Sequence, residues 1–97
     1  MADRHPRPYD SVLELIGWTP MVRLNSVIGA TPTPVYAKCE FFGPGGSIKD
    51  RIGMAMIEAA EADGTLKPGG TVVEATGGNT GLALAMAASL KGYRCIC

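Results

Sequence analysis

The sequence predicts an α/β fold built on a partial parallel sheet, and three features of its 97 residues carry that expectation. Strand-like apolar runs alternate with helix-spaced ones in the order strand, helix, strand, helix, strand, which packs as parallel strands joined by right-handed crossovers. Glycine-rich loops stand where strand gives way to helix. The last strand-like run has no helix after it, although a parallel sheet needs cover on both faces, so the domain is expected to be truncated at Cys97.

Residues 1–10 are polar and proline-rich and are expected to form a flexible tail, with 11–97 forming one incomplete domain. Ser11 is placed to cap a short helical turn through Leu15 and Ile16, which Gly17 ends. Thr19 and Pro20 lead into a short strand, Met21 to Leu24. Pro32 and Pro34 keep the next stretch out of a helix, and Val35 to Cys39 reads as a second strand. A loop from Phe41 to Gly46 follows, holding Gly43, Pro44 and Gly45.

From Ser47 the spacing turns helical. Ile48, Ile52, Ala55, Met56, Ala59 and Ala60 recur on one stripe, predicted to face the core, while Glu58, Glu61 and Asp63 fall elsewhere. Gly64 ends that helix, and Lys67 to Gly70 turn the chain into a strand, Thr71 to Ala75. The loop Thr76 to Gly81 opens Leu82 to Leu90, which is apolar on every side and is predicted to be a buried helix. Gly92 stops it, and Tyr93 to Cys97 is the last strand.

Composition excludes several function classes. Nine Lys and Arg balance nine Asp and Glu, so there is no basic surface for nucleic acid or anionic lipid. The longest apolar run, Leu82 to Ala88, falls well short of the ~20 residues that cross a bilayer, and the first ten residues are unlike a secretory signal. A cytoplasmic protein acting on a small ligand is expected.

Cys39, Cys95 and Cys97 are odd in number and form no Cys-x-x-Cys, which argues against a disulfide framework or a structural zinc site; buried thiols are expected. Cys95 and Cys97 share one face of a strand but have no further soft-metal ligands nearby, so no metal is expected. His5 is the only histidine and sits in the tail, which leaves no histidine-based nucleophile relay.

Two loops carry the chemistry. In the first, Gly43 to Arg51, Lys49 falls in the first turn of a helix directly after a glycine-rich segment. Unpaired N–H groups and the helix dipole disfavour an ammonium there by up to ~1 kcal/mol, which favours the neutral amine that forms a Schiff base, with Asp50 and Arg51 partly offsetting the field. Spacing alone describes a solvent-facing lysine at an ordinary helix start at least as well. A nucleotide-binding P-loop fails on register, because Ser47 and Ile48 separate Gly46 from Lys49.

In the second loop, Glu74 to Gly81, backbone N–H groups converge at a helix N-terminus, suited to a phosphate or carboxylate, and Thr76, Asn79 and Thr80 add side-chain donors. The glycine spacing does not match a dinucleotide fingerprint. A helix cap with a tight turn is the plainer alternative.

Taken together, the two loops resemble the N-terminal portion of the cysteine synthase and cystathionine β-synthase family, pyridoxal-phosphate (PLP) enzymes of fold type II with a tryptophan synthase β-like architecture. The residues that carry the resemblance are Ile16-Gly17-x-Thr19-Pro20-Met21-Val22-x-Leu24-Asn25, Lys38-Cys39-Glu40-Phe41-Phe42, Gly46-Ser47-Ile48-Lys49-Asp50-Arg51, Asp63-Gly64-Thr65-Leu66-Lys67-Pro68-Gly69 and Gly78-Asn79-Thr80-Gly81. The stretches Lys38 to Phe42 and Gly92 to Ile96 look closer to cystathionine β-synthases.

The resemblance implies that Lys49 binds pyridoxal 5'-phosphate covalently and shuttles the substrate's α-proton, and that Asn79 hydrogen-bonds the cofactor's ring hydroxyl. Thr76, Gly77, Asn79 and Thr80 would receive the substrate α-carboxylate. The implied reaction is β-replacement on serine or O-acetylserine by sulfide or another thiol, forming cysteine or cystathionine in a full-length homodimer. A serine or threonine dehydratase of the same fold, and a non-catalytic or regulatory relative, are the alternatives. The family's loop places a serine where this chain has Gly77, removing one hydroxyl that would bind the carboxylate. No cysteine precedes Cys39, so the haem that some members carry is not expected. The phosphate-gripping loop and the partner of the pyridine nitrogen would lie beyond Cys97, so the isolated chain is expected to lack turnover.

Overall fold

In a computed structural model that describes residues 5–97, Ser11 caps as its sequence predicts. Its hydroxyl accepts the Leu13 N–H at 3.2 Å, and the Glu14 carboxylate reaches back to the Ser11 N–H at 3.1 Å, closing a capping box around the 3-10 turn Val12–Leu15. That backbone donor holds the Glu14 carboxyl below its ordinary range. Arg7 lies 4.8 Å from the Tyr9 ring centroid and pairs with Glu14 at 3.3 Å. Residues 1–4 of the expected tail lie outside the described residues.

Strands β1 (Met21–Leu24) and β2 (Val35–Lys38) form an antiparallel pair, with Met21 opposite Lys38 and Leu24 opposite Val35. The parallel pairing expected between this second strand and the Thr71 strand is not seen among the described residues, where Val35–Lys38 pairs with β1 instead. A parallel crossover needs roughly a dozen residues or more, usually with a helix, and the link from Leu24 to Val35 is shorter and helix-free. After β2 the chain leaves through a 3-10 turn, Glu40–Phe42, and enters helix α1 (Lys49–Ala62).

The parallel unit lies in the second half. Strand β3 (Thr71–Val73), helix α2 (Asn79–Lys91) and strand β4 (Arg94–Ile96) form a β-α-β crossover, with Thr71 opposite Arg94 and Val73 opposite Ile96. Gly92 closes α2 at φ 81°, a left-handed cap that glycine adopts at no steric cost. The core is Ile57 of α1 with Leu84, Ala87 and Ala88 of α2, flanked by Val72, Tyr93 and Cys95.

The buried face of α1 is the opposite of the one predicted. Asp50, Gly53 and Ile57 are buried, while Ile48, Ile52 and Met56 of the apolar stripe are exposed at 53%, 43% and 41%. The reason is the distance between the helices. A Cβ added to Gly53 would come within 2.8 Å of the Ala83 Cβ, so α1 approaches α2 through its smallest residue and turns its larger ones outward. Helix α2 is likewise covered on one side only: Ala83, Leu84, Ala87 and Ala88 are buried, but Leu82 and Leu90 are exposed. At the far ends, Glu61 of α1 accepts from Lys91 Nζ at 2.7 Å and from the Tyr93 hydroxyl at 2.6 Å. These donors lower the Glu61 carboxyl, and the same contact raises the Tyr93 phenol.

Candidate functional site

The glycine loop ahead of α1 is built around Asp50. Its Oδ2 accepts the Gly45 N–H at 2.8 Å, and the side chain lies so close that a Cβ on Gly43 or Gly45 would collide with the carboxylate. Only glycine lets that loop close over a buried acid. Asp50 is 3% exposed, and its Oδ1 has no hydrogen-bond partner among the described residues. Ser47 Oγ accepts the Lys49 N–H at 3.1 Å, satisfying one of the free amides at the start of α1. Lys49 is half-buried, and its Nζ has no hydrogen-bond or ion-pair partner among the described residues.

Arg51 turns away from this loop. Its guanidinium donates to Glu40 Oε2 at 2.8 Å and Oε1 at 3.2 Å, and to Thr19 Oγ1 at 3.2 Å. Thr19, itself buried, donates to Glu40 Oε1 at 2.6 Å and accepts from Lys38 Nζ at 2.6 Å through its hydroxyl and again through its carbonyl. Hydrogen bonds from Arg51, then Thr19, hold the Glu40 carboxyl down at about 2, and the same pairing raises the Arg51 guanidinium. The network fastens the β1–β2 hairpin to the first turn of α1. Lys38 is therefore occupied, and Lys49 is not.

The second loop is held by Thr76. Its Oγ1 accepts the N–H groups of Gly78 and Gly81, each at 3.3 Å, so the hydroxyl caps α2 from inside the loop. The Thr76 N–H donates to the Glu74 carbonyl at 3.0 Å. The N–H groups of Gly77, Asn79 and Thr80 have no acceptor among the described residues. Gly77 and Asn79 are exposed, whereas Thr76 and Thr80 are half-buried. Three open donors at a helix N-terminus suit a carboxylate or phosphate.

The helix crossing ties the two loops together. Lys49 lies four residues before Gly53 on α1, and Asn79 lies four before Ala83 on α2. Each therefore stands one turn, ~6 Å of rise, N-terminal to the point of closest approach. Of the residues carried over from the resemblance, Lys49, Asn79 and Thr80 thus stand in the first turns of two packed helices, and Thr76 and Gly77 in the loop before α2. A cavity of about 230 Å³ lined by Met56, Leu66, Thr71 and Leu84 contains none of them.

Asp50, Gly53 and the Thr19–Glu40–Arg51 network were missed as organising residues. Their signal in the sequence is faint: an acid in the first turn of a helix, beside glycines whose spacing matches no nucleotide loop. The expectation of buried thiols holds for Cys39 alone, because Cys95 is half-buried and Cys97 exposed. Among the described residues, no helix is long and apolar enough to cross a membrane, and no three His, Cys, Asp or Glu side chains converge as metal ligands.

Residues 12–97 match the family described as "Pyridoxal-phosphate dependent enzyme". Cystathionine beta-synthase of Rattus norvegicus is 54% identical over 95 residues, covering 96% of this chain and 17% of that protein. Cysteine synthase of Staphylococcus aureus strain Mu50 is 49% identical over 90 residues, covering 93% of this chain and 29% of that one. The crystal structure of the Entamoeba histolytica cysteine synthase superposes with a TM-score of 0.89 at 40% identity, over 98% of this chain and 29% of that chain. The chain thus spans less than a third of the length of these relatives.

Proposed function

Because the chain belongs to the pyridoxal-phosphate-dependent enzyme family, with cystathionine β-synthases and cysteine synthases among its relatives, we propose that the whole protein catalyses β-replacement on serine or O-acetylserine. Sulfide or a thiol is the incoming nucleophile, and cysteine or cystathionine the product. PLP, when bound, supplies an electron sink for the charge left on Cα when the α-proton departs.

Lys49 holds the cofactor through Nζ in this reading and takes the α-proton on the same nitrogen. The observation that carries it is that Lys49, whose Nζ has no partner among the described residues, and Asn79, whose N–H is open, each stand one turn before the Gly53–Ala83 contact of their helices. Lys91, by contrast, is held by the Glu61 carboxylate at 2.7 Å, which keeps its nitrogen engaged. Asn79, exposed at the first position of α2, is assigned the hydrogen bond to the cofactor's ring hydroxyl. The N–H groups of Gly77, Asn79 and Thr80 orient the substrate α-carboxylate, and the Thr76 hydroxyl, which accepts two N–H bonds, keeps its own proton to donate.

Balanced charge and the absence of a membrane-length helix among the described residues support a cytoplasmic location, and the resemblance supports a homodimer. The test supplies the whole protein with serine or O-acetylserine and either sulfide or homocysteine. Cysteine or cystathionine is the expected product; pyruvate alone would point instead to a dehydratase.

A further inference from the structure

We propose that Asp50 is a positioning residue for Lys49: its buried carboxylate locks the Gly43–Gly46 turn onto the first turn of α1 and so fixes where the Lys49 amine is presented. This role rests on the reading of Lys49 as the cofactor's point of attachment.

The turn is set by its own sequence. The Gly46 N–H donates to the Gly43 carbonyl at 2.9 Å, with Pro44 at the second turn position, where its fixed φ suits a β-turn. Gly46 then leaves the turn at φ 80°, in the left-handed region. Asp50 meets this turn at two points. The Gly45 N–H donates to Oδ2 at 2.8 Å, and a Cβ on Gly43 would collide with Oδ2, as one on Gly45 would with Oδ1.

An ordinary helix start needs no such arrangement. An exposed Ser, Thr, Asn or Asp at the N-cap supplies an acceptor without burying a charge, yet here the N-cap is Ile48, which offers no side-chain bond, and the acid is buried one residue after Lys49. Burial leaves Oδ1 without a hydrogen-bond partner among the described residues. A buried acceptor left unpaired is unfavourable, and its persistence calls for a reason in what the group holds. The placement of Lys49 is that reason.

Lys49 is anchored through its backbone on both sides. Before it, Ser47 Oγ accepts its N–H at 3.1 Å; after it, Asp50 is bound to the turn and Arg51 to Glu40 Oε2 at 2.8 Å. The backbone is held and the amine is left free. A nucleophile needs that combination, since a displacement of about 1 Å can cost on the order of a hundredfold in rate. Every contact used here is made between residues 40 and 51.

The test uses the whole protein and follows capture of PLP by Lys49, trapped with borohydride at timed intervals and mapped by mass spectrometry. Non-covalent binding is measured in parallel with deoxypyridoxine phosphate, which lacks the aldehyde. Asp50→Ala should slow capture by roughly tenfold to a hundredfold, with affinity for the analogue nearly unchanged. Asp50→Asn, whose amide oxygen still accepts the Gly45 N–H, should capture at close to the parent rate. Asp50→Ser, too short to reach Gly45, should be slow as well and carries the test if Asp50→Ala does not fold. Deuterium exchange at the Gly45 amide, measured without PLP, should rise several-fold in the slow variants only. Parent-like capture by Asp50→Ala or Asp50→Ser would overturn the role, as would slow capture by Asp50→Asn. A parallel fall in capture and analogue affinity would also overturn it, because a general loss of structure lowers both. Absence of label on Lys49 in the parent would overturn the reading of Lys49 itself, so the two failures are told apart by the parent protein.

Discussion

Gly53 and Ala83 meet where helices α1 and α2 come closest, and a Cβ on Gly53 would stand 2.8 Å from the Ala83 Cβ and 3.2 Å from its carbonyl carbon. Backbone atoms on one side of the contact cannot rotate away, so an added methyl must push the helices apart. Gly53→Ala gains about 1 kcal/mol of helix propensity but incurs about 1–3 kcal/mol of overpacking, and a net loss is expected. Adding Ala83→Gly should restore part of it. Denaturant midpoints of the two variants check this; a Gly53→Ala protein more stable than its parent would contradict the close packing.

The Asp50–Gly45 contact predicts a non-additive pair. Gly45→Ala places a methyl against Asp50 Oδ1 and should destabilise by about 1–3 kcal/mol. Asp50→Ala removes the acceptor of the Gly45 N–H, costing about 1.5–3 kcal/mol, but also removes a buried oxygen without a partner among the described residues. In the double variant the collision is gone, so its loss should fall short of the combined single losses by about 1 kcal/mol. Simple additivity in a double-mutant cycle would show that the two groups do not touch.

These two contacts explain what was legible in the sequence and what was not. Caps and stops were readable because single residues set them: Ser11 with Glu14, Gly92 at its left-handed φ. The β-α-β unit and both loops were readable because alternation and glycine spacing are local patterns. The buried face of α1 was not, since hydrophobic periodicity finds bulky apolar residues, and this contact is made by a glycine, an aspartate and one isoleucine. The antiparallel β1–β2 pair was not legible, because alternation of strand and helix indicates only the strands that crossovers join, and Met21–Leu24 stands outside that series. The joining of Thr19, Glu40 and Arg51 depends on tertiary placement, which no local spacing encodes.

Glu40 predicts a pH dependence. With Arg51 and Thr19 donating to it and Lys38 nearby, its carboxyl is held from 4.5 down to about 2 in the folded chain. A depressed folded value means the contribution is present above the unfolded value and is lost as pH falls through the folded one. Acid titration of stability should therefore fall more steeply between pH 4.5 and 2 in the parent than in Glu40→Gln. Glu14, Glu61 and Asp63 are also lowered, so the difference between the two curves isolates Glu40. Parallel curves would mean that the network does not hold Glu40 ionised.

Lys49 predicts where the cofactor attaches. Reduction of PLP-loaded protein with borohydride should fix the pyridoxyl group on the peptide carrying Lys49, and Lys49→Ala should abolish it. Because Nζ has no partner among the described residues, that substitution should change stability by no more than about 0.5 kcal/mol. Lys38 is the control: its ammonium is engaged by Thr19, and label found there would overturn the assignment.

Gly77 predicts a gain of function by substitution. A Cβ at this position meets nothing within 4 Å, and Gly77 shows no left-handed φ, so a serine fits without displacing a neighbour. Its N–H is already open beside those of Asn79 and Thr80, and the new hydroxyl would add a second donor toward a bound carboxylate. A hydrogen bond to a charged group contributes about 1.5–3 kcal/mol net, which is roughly tenfold or more in affinity. In the whole protein, Gly77→Ser should therefore lower KM for the amino-acid substrate by about tenfold, with a smaller change in kcat because the contact is present before and during reaction. Equilibrium binding of the amino acid should tighten in parallel. Unchanged or weaker binding would mean that this loop does not receive the carboxylate, and that its open N–H groups serve another anion.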